Sequence, residues 1–123
     1  MVDFKKLEEL ARIGRDFISL QFRLTPGDVT QSIDRLWVLG YCFGVLDAVG
    51  QRAQLQESIE RLALIAVGFF LLMSDDAKGA SMMRQALNAQ DDPRFVDGSL
   101  RGGNDMLAWL ADTTKVPNGL AAA

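Results

Sequence analysis

Leu36-Trp37-Val38-Leu39-Gly40-Tyr41-Cys42-Phe43-Gly44-Val45-Leu46-Asp47-Ala48-Val49-Gly50 is the stretch on which the fold turns. Wound as a helix, it places apolar or small residues around nearly the whole circumference, with Asp47 as its only charge. A helix without a polar face is one surrounded by neighbours. The start signals lie upstream: Thr25 as N-cap, Pro26 at the first helical position and Asp28 three residues after the cap. A central apolar helix is therefore predicted over about 26–49.

The flanking segments supply its partners. From Asp3 to Leu24, apolar residues recur at three- and four-residue spacing through Phe4, Leu7, Leu10, Ala11, Gly14, Phe17 and Ile18. The opposite face carries Lys5, Glu8, Glu9, Arg12, Arg15 and Asp16, so this is an amphipathic helix with Asp3 placed to cap it. A turn is predicted at Gly50-Gln51-Arg52-Ala53-Gln54, because one helix from Pro26 to Met73 would be about 70 Å long at 1.5 Å per residue. A third helix follows over about 55–73, with Leu55, Ile59, Leu62, Ala66, Phe69, Phe70 and Met73 on its buried stripe. Ser74-Asp75-Asp76 begins a fourth, which Asp91-Asp92-Pro93 ends. The chain to Gly103 reads as irregular. Asn104 or Asp105 then caps a last helix carrying Met106, Leu107, Trp109 and Leu110, closed by Pro117-Asn118-Gly119.

The fold class is thus all-α, a single-domain bundle of about five helices over residues 1–115 with a frayed tail at 116–123. Its 123 residues suffice for one core, and 49% apolar with 24% charged residues is a globular composition. No strand pattern, internal repeat or low-complexity segment competes with this reading.

Composition also excludes chemistry. The chain has no histidine, so Ser-His-Asp and Cys-His arrangements, His-ligated zinc and His-ligated haem are all out of reach. No cofactor or metal is expected and no catalytic residue can be nominated. Cys42 is the single cysteine, which forbids an intrachain disulfide and suits a reducing compartment; the expected location is cytoplasmic. Acidic residues outnumber basic ones 16 to 13 and the basic ones are scattered, which argues against nucleic acid as a partner. The N-terminus mixes charges with apolar residues and does not read as a signal peptide. The longest apolar run, Leu62 to Met73, is shorter than the roughly 20 residues a membrane span needs.

Two constellations stand out. Gly40, Gly44 and Ala48 form a row of small residues on the central helix, with Asp47 on the same side. The row fits a close helix crossing, a self-association seam or a slot for an apolar ligand. If the chain turns near Arg52, Arg61 returns at the height of Asp47, and an ion pair between them is expected. Gly40, Gly44, Asp47 and Arg61 are thus the candidate ligand-binding set. The second is Arg101-Gly102-Gly103, a basic turn before a helix N-terminus and a candidate anion site, although it lacks the lysine and hydroxyl of a P-loop. The acidic residues Asp91, Asp92 and Asp97 do not fit an EF-hand, because Pro93 and Phe95 would occupy ligand positions.

The expected function is a non-catalytic helical module that associates with itself as a homodimer or with another protein. Its motive is more apolar surface on the second and third helices than the others can cover. The alternative is a small-molecule-binding domain with an apolar pocket near Gly40, Gly44 and Asp47.

Overall fold

In a computed structural model of the chain, residues 3–24, 35–55 and 57–112 are described, and 88% of them are helical with no strand among them. The five helices are α1 Phe4–Leu24, α2 Arg35–Arg52, α3 Ser58–Met73, α4 Asp76–Asn88 and α5 Pro93–Ala111. The predicted start of the central helix at Thr25-Pro26 and the predicted tail lie outside the described residues.

The all-α bundle built around an apolar helix is what the structure shows. Eleven of the 18 residues of α2 are buried, and α2 packs against each of the other four helices. Leu46, fully buried, illustrates how it seats: its side chain fills the notches left by Gly14 of α1 and Gly68 of α3. A Cβ at Gly14 would come within 2.6 Å of Leu46 Cδ2, and one at Gly68 would overlap it more severely.

The turn after α2 has a definite form. Leu55 N–H donates to Gly50 O and Gln54 N–H donates to Gln51 O, both at 3.0 Å, around Gln54 in the left-handed region at φ 62. These are the two bonds of a Schellman cap, with Gln54 in the place usually held by glycine. Gly50 itself stays inside the helix, buried under Leu64 and Leu55. The turn therefore falls where length required it, although the predicted breaker is not what makes it. The helix start expected at Ser74-Asp75-Asp76 is there, with Asp75 as the cap of α4, accepting from Lys78 N–H at 2.8 Å, while Ser74 ends α3.

Two expectations are corrected. The buried face of α3 is Leu64, Ile65, Gly68 and Phe69, whereas Ile59 and Leu62 are exposed. A helix apolar almost all round has no polar face to fix its phase, and here the Leu46 notch at Gly68 sets it. The second correction is larger. Residues 93–103 are not irregular: they are the first half of α5, and the helix runs unbroken through Arg101, Gly102, Gly103, Asn104 and Asp105. Asp92 is its N-cap, accepting from Arg94 N–H at 2.9 Å, with Pro93 in the first turn.

Of the three glycines that make this segment look like a loop, Gly98 and Gly102 are there for packing. Cβ atoms at Gly40 and Gly44 of α2 would strike the carbonyl oxygens of Phe95 and Ser99. Reciprocally, Cβ atoms at Gly98 and Gly102 of α5 would strike those of Trp37 and Tyr41. Residue numbers rise together on the two sides, so α2 and α5 run parallel and touch backbone to backbone. Each glycine costs its helix up to about 1 kcal/mol of propensity, which this contact must repay.

Gly103 offers the control, since a Cβ there meets only Gly44 O at 3.6 Å, an ordinary contact. At low micromolar concentration, Gly44→Ala or Gly102→Ala is expected to lower stability by about 1–3 kcal/mol through overpacking against backbone. Gly103→Ala should raise it by up to ~1 kcal/mol through propensity alone. Chemical denaturation of the three variants checks the opposite signs.

Candidate functional site

The row of small residues on α2 is a helix crossing. Gly40 and Gly44 face the backbone of α5, so a ligand slot at these residues is already filled. Asp47 and Arg61 do meet. Arg61 donates from Nη2 at 2.7 Å and Nε at 3.2 Å to Asp47 Oδ1, while Gln51 Nε2 donates to Oδ2 at 2.9 Å. With both carboxylate oxygens occupied inside the chain, Asp47 ties α2 to α3. Both side chains keep about a third of their surface in water, so the pair is worth at most about 1 kcal/mol.

Arg101, Gly102 and Gly103 sit in mid-helix, where their amides serve the α5 backbone ladder. The helix N-terminus that an anion site at these residues requires lies instead at Asp92 and Pro93. Arg101 donates from Nε to Asp105 Oδ1 at 3.1 Å.

Sequence reasoning missed a polar seam along the α2–α5 contact. Tyr41, fully buried, places its hydroxyl 2.7 Å from Asp105 Oδ2 of α5 and 3.0 Å from Gln21 Oε1 of α1. Trp37, one turn earlier, donates from Nε1 to Asp97 Oδ2 at 2.7 Å and stacks on Tyr41 with ring centroids 5.5 Å apart. Phe17 of α1 meets Trp109 of α5 at 5.4 Å. One sequence signal existed: Trp37 and Tyr41 are four apart, as are Asp97 and Arg101, and Arg101 and Asp105, so two helical rows could have been set side by side. Reading Asp97 and Asp105 as turn and cap residues hid the second row.

This seam is chemically quiet. Burial pushes the Tyr41 hydroxyl well above its ordinary pKa, and the hydrogen bond to Asp105 pushes it further, so the phenol stays protonated. Burial also pushes the Cys42 thiol up to about 12, which keeps it from acting as a nucleophile at neutral pH. Among the described residues no group of three or more potential ligand side chains is arranged to hold a metal ion, and no helix is long and apolar enough to cross a membrane.

Two surface features remain. The first is a pocket of about 330 Å³ on the far side of α2 from α5. Its floor is Val38, Leu39 and Cys42, and Leu72 of α3 and Met82 of α4 form part of its wall. Arg35 and Gln85, both exposed, also line it.

The second is the outer face of α5. Val96, Leu100 and Leu107 are 41%, 65% and 38% exposed, and Leu110 is half-buried. Together with Gly103 they follow one another at intervals of four, three, four and three residues, the spacing of a coiled-coil seam. The apolar arc of α5 is thus wider than α2 covers. The uncovered apolar surface expected on the second helix falls here, on α5, and on Ile59 and Leu62 in the first turns of α3.

Comparison of the chain with models of known protein families, with curated proteins and with solved structures finds no match.

The buried acids predict an alkaline transition. In the unfolded chain the thiol loses its proton near 9 and the phenol near 10, whereas in the fold both keep it longer. The unfolded state then binds fewer protons, so stability is full below pH 9 and falls as pH rises, by at most about 1.4 kcal/mol per pH unit for each group. Denaturation at fixed pH values from 7 to 11 should show Cys42→Ala flattening the decline that begins near 9, and Tyr41→Phe the part that begins near 10.

Proposed function

We propose that this protein is a self-associating helical module, in which α5 of one copy packs antiparallel against α5 of a second. The observation that carries this reading is the symmetry of the uncovered stripe about Gly103. Leu100 lies three residues before it and Leu107 four after; Val96 lies seven before and Leu110 seven after. An antiparallel pair places Leu100 of each copy against Leu107 of the other, with the glycines meeting at the two-fold axis where the helices come closest. Such an isologous interface needs one self-complementary patch, and this stripe is one.

Charge supports the same occupant. The flanks of the stripe are Ser99 on one side and Asn104 on the other, while Arg94, Asp97, Arg101 and Asp105 lie towards the far side of α5. Two like copies therefore meet without bringing like charges together, and the neutral rim selects no charged partner. Antiparallel helix dipoles also oppose each other favourably. The four-three spacing favours a shallow left-handed crossing near 20°.

Light scattering on a sizing column tests the proposal. The intact chain is expected to run as a dimer at about 100 µM, a concentration chosen because an interface built on a few leucines is weak to moderate in affinity. Leu100→Glu, at a mostly exposed position, should give a folded monomer with unchanged circular dichroism. A wild-type monomer at that concentration, or a dimer indifferent to Leu100→Glu, overturns the reading.

A further inference from the structure

We propose that the pocket lined by α1, α2, α3 and α4 is a binding site for a small apolar anion, such as an acyl-chain or aryl carboxylate. The site is separate from the α5 stripe and does not depend on self-association.

Its construction is graded. The deepest residues, Val38, Leu39 and Cys42, are buried and carry no charge, and Cys42 stays a neutral thiol that behaves as a small apolar group. Around them stand flexible side chains, Leu72 and Met82 among them, which can close on ligands of differing shape. A volume of about 330 Å³ falls at the lower end of the range of small-molecule sites. An apolar hollow of that size leaves its lining without dispersion partners, a deficit that a hydrocarbon chain or ring removes.

The sign of the ligand's charge follows from Arg35. Among the described residues it is the only charged one lining the pocket, and no described acid lines it. Among the described residues Arg35 forms no ion pair, nor do Arg52 and Arg84, whereas Arg12, Arg15, Arg61, Arg94 and Arg101 each have an acid at 2.6–3.1 Å; of the three, Arg35 alone lines the pocket. Arg35 is exposed, so the guanidinium belongs to the outer part of the pocket and not to its floor. A guanidinium that no described acid pairs, beside an apolar hollow, matches a ligand with an apolar body and a carboxylate head, which it grips in its two-pronged geometry.

Calorimetric titration of the full-length chain with decanoate and with decanol, which share a chain and differ in head, tests both halves. Decanoate is expected to bind about tenfold more tightly than decanol. Arg35→Gln should bring decanoate down to the level of decanol and leave decanol unchanged. Leu36→Trp, which narrows the pocket from a half-buried wall position, should weaken both ligands at least tenfold, with circular dichroism and melting temperature reporting that the fold is intact. Leu72→Trp serves if that variant fails to fold. Leu100→Glu, on the α5 stripe, should change neither affinity, so the site and the dimer fail independently. Absence of decanoate binding, equal affinity for the two ligands, insensitivity to Arg35→Gln, or loss of binding in Leu100→Glu each overturns the proposal.

Discussion

The backbone contact between α2 and α5 is the constraint from which the remaining structure follows. Carbonyl oxygens of Trp37, Tyr41, Phe95 and Ser99 occupy space that side chains fill in most helix pairs, and four glycines make room for them. At such a separation the two helices gain dense dispersion contact, along with weak bonds from Cα–H groups to carbonyl oxygens. They also lose tolerance. A crossing built on backbone has no rotamers with which to absorb an added methyl group. The close approach sets Trp37 against Asp97 and Tyr41 against Asp105, and Tyr41 in turn offers α1 a polar anchor at Gln21. It also leaves the other edge of α5 beyond the reach of α2, which is why an apolar stripe remains at the surface.

Much of this architecture is legible in the residues themselves. The apolar circumference of 36–50 identifies the centre, helix length places the turn near Arg52, and the height of the returning helix pairs Asp47 with Arg61. The start of α4 at Ser74-Asp75-Asp76 reads correctly because acids favour the first turn of a helix. The failures share a cause. Gly98, Gly102 and Gly103 are ordinarily breakers, and the rule that assigns glycine to loops outweighed the cap at Asp92-Pro93, although the same cap-and-proline logic had been applied at Thr25-Pro26. A glycine that serves tertiary packing is indistinguishable from a glycine in a turn until its partner helix is known. The phase of α3 is illegible for a related reason: its polar residues, Ser58, Glu60 and Arg61, are confined to the first turn, and beyond them only the fit of Leu46 against Gly68 decides which side turns inward. The pocket depends on four helices at once, and no periodicity along one of them reports it.

The titratable groups at the α2–α5 and α2–α3 contacts are engaged within the fold. Tyr41 and Cys42 are held neutral by burial, Asp105 is bound to Tyr41 and Arg101, and Asp47 is bound to Arg61 and Gln51. Polar chemistry inside this protein fixes helices to one another. Two features of the described surface are left uncovered: an apolar ridge on α5, and a hollow at the opposite side of α2 with Arg35 beside it.

The parallel course of α2 and α5 has a consequence for how the chain reaches its native state. Parallel helices cannot be joined by a short loop, so the α3–α4 hairpin serves as the crossover that carries the chain back to the starting end. Trp37 and Asp97, in contact at the finish, are 60 residues apart along the chain. With its glycines, α5 has little reason to be helical alone, and its helix is stabilised mainly by the groove on α2. Helix formation in α5 is thereby coupled to closure of the longest contacts, among the costliest in loop entropy. A chain stalled before that step would present a bare, glycine-lined groove along its most apolar helix, the kind of surface on which chaperones act and from which domain-swapped assemblies grow.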